Sequence, residues 1–186
     1  MTALTISPAS GNGQAETCTD RATIVARLQS IGVEFEYWQA DRELADDAKQ
    51  DTVLAAYRDA IQALNARYGF RSIDVVSLTP EHPDAAALRN KFLAEHTHAD
   101  FEVRFFVDGS GLFYLHVGDK IYMVLCERGD LISVPANTTH WFDMGTRPFF
   151  KCIRFFTTPD GWLGEFTGSD IAARFPDFDS YVAQHA

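Results

Sequence analysis

The stretch HTHADFEVRFFVDG, residues 96–109, decides the fold of this chain because its two faces differ so strongly. Side chains on a β-strand alternate between faces, so His96, His98, Glu102 and Arg104 point the same way if the segment is extended. Asp100 shares that face, so it either lines the same space or is turned aside by a local bend. The opposite face carries only apolar side chains: Phe101, Val103, Phe105 and Val107. The pattern predicts a strand with a polar face toward an enclosed space.

The polar face also has the spacing of a metal site. A lone pair of histidines two positions apart is more often hydrogen-bonded in a core or on a surface than bound to a metal. The added Glu102 favours a metal, because the three side chains can converge, and two imidazoles with a carboxylate suit Fe, Ni, Mn or Zn. A closed structural site would favour cysteine ligands, and none is nearby. His140 is the fourth candidate, since it follows the turn Pro135-Ala136-Asn137 and a barrel can lay its strand opposite the first.

Composition restricts the partners of the chain. Its 186 residues carry a formal charge of −10, with no run rich in Lys or Arg, so nucleic acid is not an expected partner. No apolar run reaches membrane-spanning length, and no membrane contact is expected. Cys18, Cys126 and Cys152 are an odd count at wide spacing, which predicts reduced thiols in a cytoplasmic protein rather than a disulfide framework.

The organisation along the chain predicts one domain over residues 1–186, mainly β with helices (α+β). Residues 1–17 are expected to be a mobile or loosely docked start, and residues 20–95 to be largely helical. Within that part, Asp20 and Asp51 are candidate helix caps and Gly69 a candidate stop. Residues 96–157 contain short segments rich in β-branched and aromatic residues, separated by turn residues, which predict a small β-barrel with the helices packed outside. Residues 158–186 form a C-terminal extension with a short helix near 169–174.

Two motifs resemble those of the cupin superfamily. In HTHADFEVRFFVDG, the two histidines, the glutamate and Gly109 have the spacing of the first motif. GDLISVPANTTH, residues 129–140, is similar to the second motif. The sequence departs from the usual pattern in having Asn90 and Asn137 at glycine positions and Met144 where an asparagine is usual. Asn tolerates left-handed backbone nearly as well as glycine, so Asn137 can still make its turn. The resemblance implies a jelly-roll barrel with a metal centre of three histidines and one glutamate.

A narrower resemblance covers nearly the whole chain. The block HTHADFEVRFFVDGSGLFYL, the block VPANTTHWFDMG and the segment KCIRFF are similar to the acireductone dioxygenase family of the methionine salvage pathway. The resemblance implies that His96, His98, Glu102 and His140 hold one Fe(II) or Ni(II). The implied substrate is the enediol 1,2-dihydroxy-5-(methylthio)pent-1-en-3-one, which reacts with O2. The implied products are 4-methylthio-2-oxobutanoate and formate with iron, and 3-methylthiopropanoate, formate and carbon monoxide with nickel.

Four further residues are candidates for the substrate pocket. Arg104 shares the parity of Glu102, and a permanent cation there would favour the enediol dianion, although a surface Arg or a structural ion pair fits the same position. Phe142 shares the parity of His140 and should line the same cavity. Arg154, in an otherwise apolar strand, either contacts substrate or forms a structural ion pair. Trp162 follows a Pro-Asp-Gly turn and either covers the cavity mouth or packs on the barrel.

Two other classes of protein fit the same motifs. One is a different cupin metalloenzyme, such as a thiol- or ring-cleaving dioxygenase or a sugar isomerase. The other is a non-enzymatic cupin that binds a metal or small ligand, although the complete ligand set and Arg104 argue against it. The spacing does not distinguish Fe from Ni. A monomer is the expected state, because no long apolar stripe is left without a partner.

Overall fold

Antiparallel strands carry the architecture, and helices flank them. The computed structural model describes residues 1–185. Its strands are Ala3–Pro8 (β1), Glu16–Cys18 (β2), Glu34–Tyr37 (β3), Ser72–Leu78 (β4), His96–His98 (β5), Glu102–Val117 (β6), Lys120–Glu127 (β7), Asp130–Val134 (β8), Thr139–Asp143 (β9), Phe150–Phe156 (β10) and Gly164–Phe166 (β11). Its α-helices are Arg21–Gln29 (α1), Gln50–Ala56 (α2), Arg58–Tyr68 (α3), Ala85–Phe92 (α4) and Phe178–His185 (α5), and Ile171–Arg174 is a 3₁₀-helix.

The long strand β6 organises the barrel by changing partners at its centre. Its first half pairs with β8 and β10, and its second half, from Ser110 onward, pairs with β7 and β9. Gly109 stands at the change with a φ of +68°, and a Cβ there would lie 1.9 Å from the carbonyl oxygen of Phe149. Only glycine fits this crossing, which bends the sheet around an interior. The predicted mainly β fold with helices outside is confirmed.

The two faces of the strands bury different cores. Phe106, Phe113 and Phe142 belong to a cluster inside the barrel, together with the fully buried Cys126 and Cys152. The opposite faces of β6 and β10 pack beneath α2 and α3 in a second cluster, where Phe105 is fully buried as its parity predicted. The three cysteines are free thiols, as the sequence predicted. Alternation along the strands therefore separates the site-bearing interior from the helix-packed exterior.

The helices begin and end largely where local sequence signals place them. The side chain of Asp20 accepts a hydrogen bond from the backbone N–H of Thr23 at 2.8 Å and caps α1. Gly69 ends α3 in the left-handed conformation, with φ 69°. The prediction that Asp51 caps a helix is wrong, because α2 begins at Gln50 with Lys49 as its N-cap and Asp51 lies in its first turn. The helix expected from Asp51 to Gly69 is two helices that meet at Tyr57, whose ring packs edge-on against Phe105 at 5.1 Å. Within residues 1–185, no helix combines the length and apolar character that a bilayer crossing requires.

Both ends of the described chain are more ordered than the sequence indicated. The prediction of a mobile or loosely docked start is wrong for Ala3–Pro8, because β1 pairs along β7 and buries Leu4 completely. The short helix predicted near residues 169–174 is the 3₁₀-helix, and α5 was not predicted. Tyr181 of α5 is buried, and its hydroxyl lies 2.7 Å from the hydroxyl of Thr5. This contact joins the C-terminal helix to the N-terminal strand.

Candidate metal centre

A bend between β5 and β6 sets the direction of the first three predicted ligands. His96 and His98 lie on β5, Glu102 begins β6, and the residues between them leave the strand. Asp100 sits in the bend, where its Oδ2 accepts hydrogen bonds from the backbone N–H groups of Thr157 and Thr158, at 2.7 and 2.9 Å. The bend therefore turns Asp100 aside to hold a neighbouring loop, one of the two possibilities that its parity left open.

The structure brings the four predicted ligands together. His140 pairs directly with His96 across β9 and β5. The imidazole centroids of His96, His98 and His140 are 4.6–5.1 Å apart, and all four residues are buried. Oε2 of Glu102 lies 3.0 Å from Nε2 of His98 and 2.9 Å from Nε2 of His140. One donor atom from each of the four residues lies within 4.8 Å of the others, so this group could hold a metal ion.

Backbone carbonyl groups fix which nitrogen of each imidazole faces the centre. In all three rings Nδ1 lies within hydrogen-bond distance of a carbonyl oxygen, and a carbonyl only accepts. Each Nδ1 therefore carries a hydrogen and donates it, which leaves the lone pair of a neutral ring on Nε2. The acceptors for His96, His98 and His140 are the carbonyl groups of Ala94, Leu163 and Thr138, at 2.7, 3.0 and 2.7 Å.

This donor set fits a divalent cation. With neutral rings, Nε2 of His140 and the carboxylate of Glu102 are both electron-pair donors, and their 2.9 Å contact is favourable only with a cation or a proton between them. Three imidazole nitrogens and one carboxylate oxygen are ligands that first-row divalent metals accept. An ion held by these four residues could also accept a chelating molecule if it were octahedral.

The charges around the centre hold these groups in the form that binds metal. Burial raises the pKa of Glu102, but the charge of Arg104 and the close contacts with His140 and His98 outweigh it and keep that pKa well below its usual value. Burial, with a smaller contribution in the same direction from the neighbouring His140, lowers the pKa of His96 to about 4. At neutral pH the carboxyl group is therefore ionised and the His96 ring is neutral.

Arg104 is buried beside the cluster, as its parity predicted. Its Nη2 lies 2.6 Å from Oε1 of Glu102, and only 6% of the residue is exposed. This close contact is an ion pair by distance, but its angles do not make a hydrogen bond, and neither Glu102 Oε1 nor Arg104 Nε has a hydrogen-bond partner among residues 1–185. A buried N–H without a partner is costly, so Arg104 offers a free donor in the site.

Aromatic side chains enclose Arg104. The centre of its guanidinium group lies 4.5 Å from the ring centroid of Phe142, a cation–π contact. Phe113 and Phe92 lie farther away, at 5.2 and 5.8 Å. The structure therefore places Phe142 beside the site, as its parity predicted. The sequence did not predict Phe92 or Phe113 as neighbours of Arg104. Phe113 lies in an apolar strand segment in which nothing distinguishes it from a core residue, and the docking position of the helix that carries Phe92 is not visible in the sequence.

The strand β11 was also missed, although it borders the cluster. It pairs with β5, with Phe166 opposite His96 and Gly164 opposite His98. A Cβ on Gly164 would lie 3.1 Å from Cδ2 of His96, so the backbone passes close to the imidazole. The ring of Phe166 lies edge-on to His96 at 5.8 Å and is 60% exposed. The three-residue motif GEF is too short to predict a strand. Its strand pairing also depends on a partner 66 or more residues earlier, which the local sequence does not indicate.

The two remaining pocket candidates have other contacts. Both terminal oxygens of Asp74 accept hydrogen bonds from Arg154, at 2.8 and 2.6 Å, so the contacts favour the structural ion pair that the sequence left open. Trp162 is 43% exposed, and the ammonium group of Lys91 lies 5.1 Å from its ring. Leu163, the next residue, supplies the carbonyl oxygen to His98, so Trp162 lies on a segment anchored at the site.

His116 has a partner that the sequence did not reveal. Its Nδ1 lies 2.6 Å from Oε1 of Glu95, a buried carboxylate next to the ligand His96. The other carboxylate oxygen accepts a hydrogen bond from the hydroxyl of Thr167 at 2.7 Å. Thr167 directly follows β11 in the chain. The Glu95 side chain therefore joins β6, the start of β5 and the end of β11 behind the cluster.

The barrel and its buried group of three histidines and one glutamate define a protein of the cupin class with a candidate metal centre. Residues 5–164 match the model of the ARD/ARD′ family. The chain therefore belongs to the acireductone dioxygenase (ARD/ARD′) family.

Relatives and a solved structure agree with this assignment. The acireductone dioxygenase of Methylococcus capsulatus (strain Bath) is 58% identical over 186 residues and covers 100% of both chains. That of Aquifex aeolicus (strain VF5) is 56% identical over 164 residues, which are 88% of this chain and 90% of the relative. A structure described as acireductone dioxygenase from Bacillus anthracis with a cadmium ion in its active centre aligns with a TM-score of 0.78 and 31% identity. It covers 89% of this chain and 98% of the other.

Proposed function

We propose that this protein is an Fe(II)- or Ni(II)-dependent acireductone dioxygenase. Its substrates are O2 and 1,2-dihydroxy-5-(methylthio)pent-1-en-3-one. The iron form yields 4-methylthio-2-oxobutanoate and formate, and the nickel form yields 3-methylthiopropanoate, formate and carbon monoxide. The observation that carries the proposal is the convergence of four buried donor atoms within 4.8 Å in a chain of this family. The metal in the active centre of the related Bacillus anthracis structure supports it.

In this proposal His96, His98, Glu102 and His140 hold the metal. A divalent ion held there would supply a Lewis acid that binds a chelating substrate. Each Nδ1–H donates a hydrogen bond to a backbone carbonyl group behind its ring, which directs Nε2 at the centre. The ligands are therefore oriented before an ion binds. Glu102 supplies one negative charge, which Arg104 offsets from the other carboxylate oxygen.

Arg104 acts on the substrate in this scheme as a positioned cation. An enediol must lose protons before it becomes electron-rich enough to react with O2, and a fixed positive charge favours the anion. Arg104 is buried and permanently charged, and its Nε–H is free to donate to an anionic oxygen. The low polarity of the aromatic wall strengthens that interaction, because fewer waters compete with the anion.

The aromatic residues hold the rest of the substrate in the same scheme. Phe142 packs against Arg104 and closes the inner side of the pocket. Trp162, exposed on the segment that anchors His98, would cover the methylthio group from the outer side. A contact of Arg154 with substrate competes with its ion pair to Asp74 and stays the weaker prediction. We also propose that the protein acts as a monomer in the cytoplasm, in methionine salvage.

The test begins with elemental analysis of protein purified without added metal, followed by reconstitution with Fe(II) or Ni(II). We expect one ion per chain and O2 uptake with the acireductone in both forms, with carbon monoxide only from the nickel form. Glu102→Ala and His96→Ala should lose both metal and turnover. The exposed Glu16→Ala and the half-buried His82→Ala are matched controls that should keep both.

Three outcomes would contradict the proposal in different ways. Full activity in metal-free protein would exclude a metal-dependent reaction. Turnover of a thiol or a catechol, with none of the acireductone, would favour a different cupin enzyme. A metal-bound protein whose electronic spectrum does not change when substrate is added would favour a non-enzymatic binding protein.

A further inference from the structure

A second polar cavity lies on the outer side of the barrel. It has a volume of about 340 Å³ and is bordered by the cations Arg42, Arg128 and Lys151 and the carboxylates Glu43 and Asp108. We refer to it as the Lys151 cavity. None of the four candidate metal ligands borders it. Lys151, on β10, faces away from the barrel interior that holds those ligands. Its size falls within the range of small-ligand sites, about 300–1,000 Å³.

Within residues 1–185, Lys151 is a buried cation without a counter-ion. Only 5% of it is exposed, and its Nζ donates one hydrogen bond, to the carbonyl oxygen of Ala45 at 2.7 Å. Asp108 stands directly opposite in the strand register, but no carboxylate oxygen of residues 1–185 lies within 4.0 Å of Nζ. The Asp108 carboxylate instead accepts a hydrogen bond from the backbone N–H of Gly109 at 2.8 Å. A buried ammonium group with one neutral acceptor is unfavourable unless an anion or water completes its contacts.

The two arginines keep most of their donors free. Arg128 uses Nε for the carbonyl oxygen of Ala40, at 2.6 Å, and its two terminal nitrogens make no hydrogen bond within the described chain. In the described part of the chain Arg42 has a single ion pair, to Asp41 at 3.8 Å, which is exposed on both sides and contributes little. Three cations and two carboxylates leave a net charge of 3 − 2 = +1 around the cavity. This positive cluster occurs in a chain whose formal charge is −10.

We propose that the Lys151 cavity binds a small oxyanion, a phosphate or a carboxylate. The ammonium group of Lys151 contacts one oxygen, and the planar fork of Arg128 binds the second oxygen of a carboxylate or two further oxygens of a phosphate. The anion also joins the loop that carries Arg42 and Ala45 to strand β10. This site is independent of the reaction proposed above.

The experiment measures thermal stability of the metal-loaded protein against inorganic phosphate, formate and chloride at matched ionic strength. We expect phosphate or formate, but not chloride, to raise Tm in a saturable way, by about 3–6 °C at ten times the Kd. Calorimetric titration then measures the Kd of each anion, and the lower Kd shows whether the cavity prefers a phosphate or a carboxylate. Arg128→Gln should weaken that binding at least tenfold, and Lys151→Met should abolish it.

Arg147→Gln is the matched control, because it removes the same charge from an exposed position outside the cavity. It should keep the full Tm response. If Lys151→Met does not fold, the response of Arg128→Gln tests the proposal by itself, because Arg128 is exposed and its substitution should not prevent folding. The proposal is wrong if neither anion gives a saturable response, or if Arg128→Gln responds as strongly as the control.

Discussion

Replacing Arg104 by Met tests whether the buried cation and the candidate metal share the charge of Glu102. The substitution keeps the side-chain volume roughly constant and removes the positive charge 2.6 Å from Oε1 of Glu102. In metal-free protein it leaves a carboxylate, 4% exposed, without its main charge partner. In metal-loaded protein the ion would still neutralise that carboxylate.

The expected loss of unfolding free energy follows from the burial of the Arg104–Glu102 pair. Removing one partner of a buried pair costs about 3–5 kcal/mol, so the metal-free variant should lose that much free energy of unfolding. In the metal-loaded variant the main loss is the contact of the guanidinium with the Phe142 ring at 4.5 Å. That contact contributes about 0.5–2 kcal/mol. The substitution should therefore destabilise the metal-free form more, by about 1–4.5 kcal/mol, which is the difference between the two ranges.

Urea unfolding with a chelator and with saturating Ni(II) measures both values. Arg147→Met serves as the exposed control and should change stability by less than about 0.5 kcal/mol in either form. A loss below about 1 kcal/mol in the metal-free variant would refute the argument, because the typical cost of unpairing a buried charge is larger. Equal losses in the two forms would show that Glu102 and the ion do not interact.

Three further predictions concern the cluster and the turns that support the barrel. In metal-free protein the pKa of His96 is lowered to about 4 from 6.5. The unfolded chain therefore binds more protons between those values, and stability should fall by up to about 3 kcal/mol as pH drops through that window. Urea unfolding across this range should show the loss, and His96→Asn should remove that part of it. Gly109→Ala should cost about 2–5 kcal/mol in the same assay, because its Cβ meets the Phe149 carbonyl and φ is positive. Gly118→Ala, with a similar φ and open space, should cost only about 1–2 kcal/mol. Asn137→Gly should leave metal binding and stability within about 0.5 kcal/mol of the parent, since φ is 62° there; a larger loss would show that the Asn side chain has a role of its own.

Much of the fold could be predicted because its signals are local. Alternation in residues 96–109 identified the inner and outer faces of β6 correctly, and Phe105 is buried under the helices as expected. Asn137 adopts the left-handed conformation that its place in the turn required. Gly69 ends a helix for the same steric reason. These residues act through their own backbone or their own strand, so a single sequence suffices.

What could not be predicted depends on distant contacts. The order of β1 comes from pairing with β7, more than 110 residues away, and the apolar residues of β1 alone do not reveal that partner. The choice between a pocket role and an ion pair for Arg154 depends on Asp74, which lies on the neighbouring strand β4. Both contacts join residues that are far apart in the sequence, so no local sequence pattern indicates them.

The hydrogen bonds behind the three imidazoles differ in how far along the chain they reach. His96 and His140 each use the carbonyl group two residues earlier, so a short peptide segment contains both ring and acceptor. His98 uses Leu163, 65 residues later. During synthesis two rings can therefore be oriented as soon as their own strands form, while the third must wait until the end of the chain docks. Deleting the chain from Leu163 onward would remove the acceptor of the His98 ring and leave the acceptors of the other two rings in place.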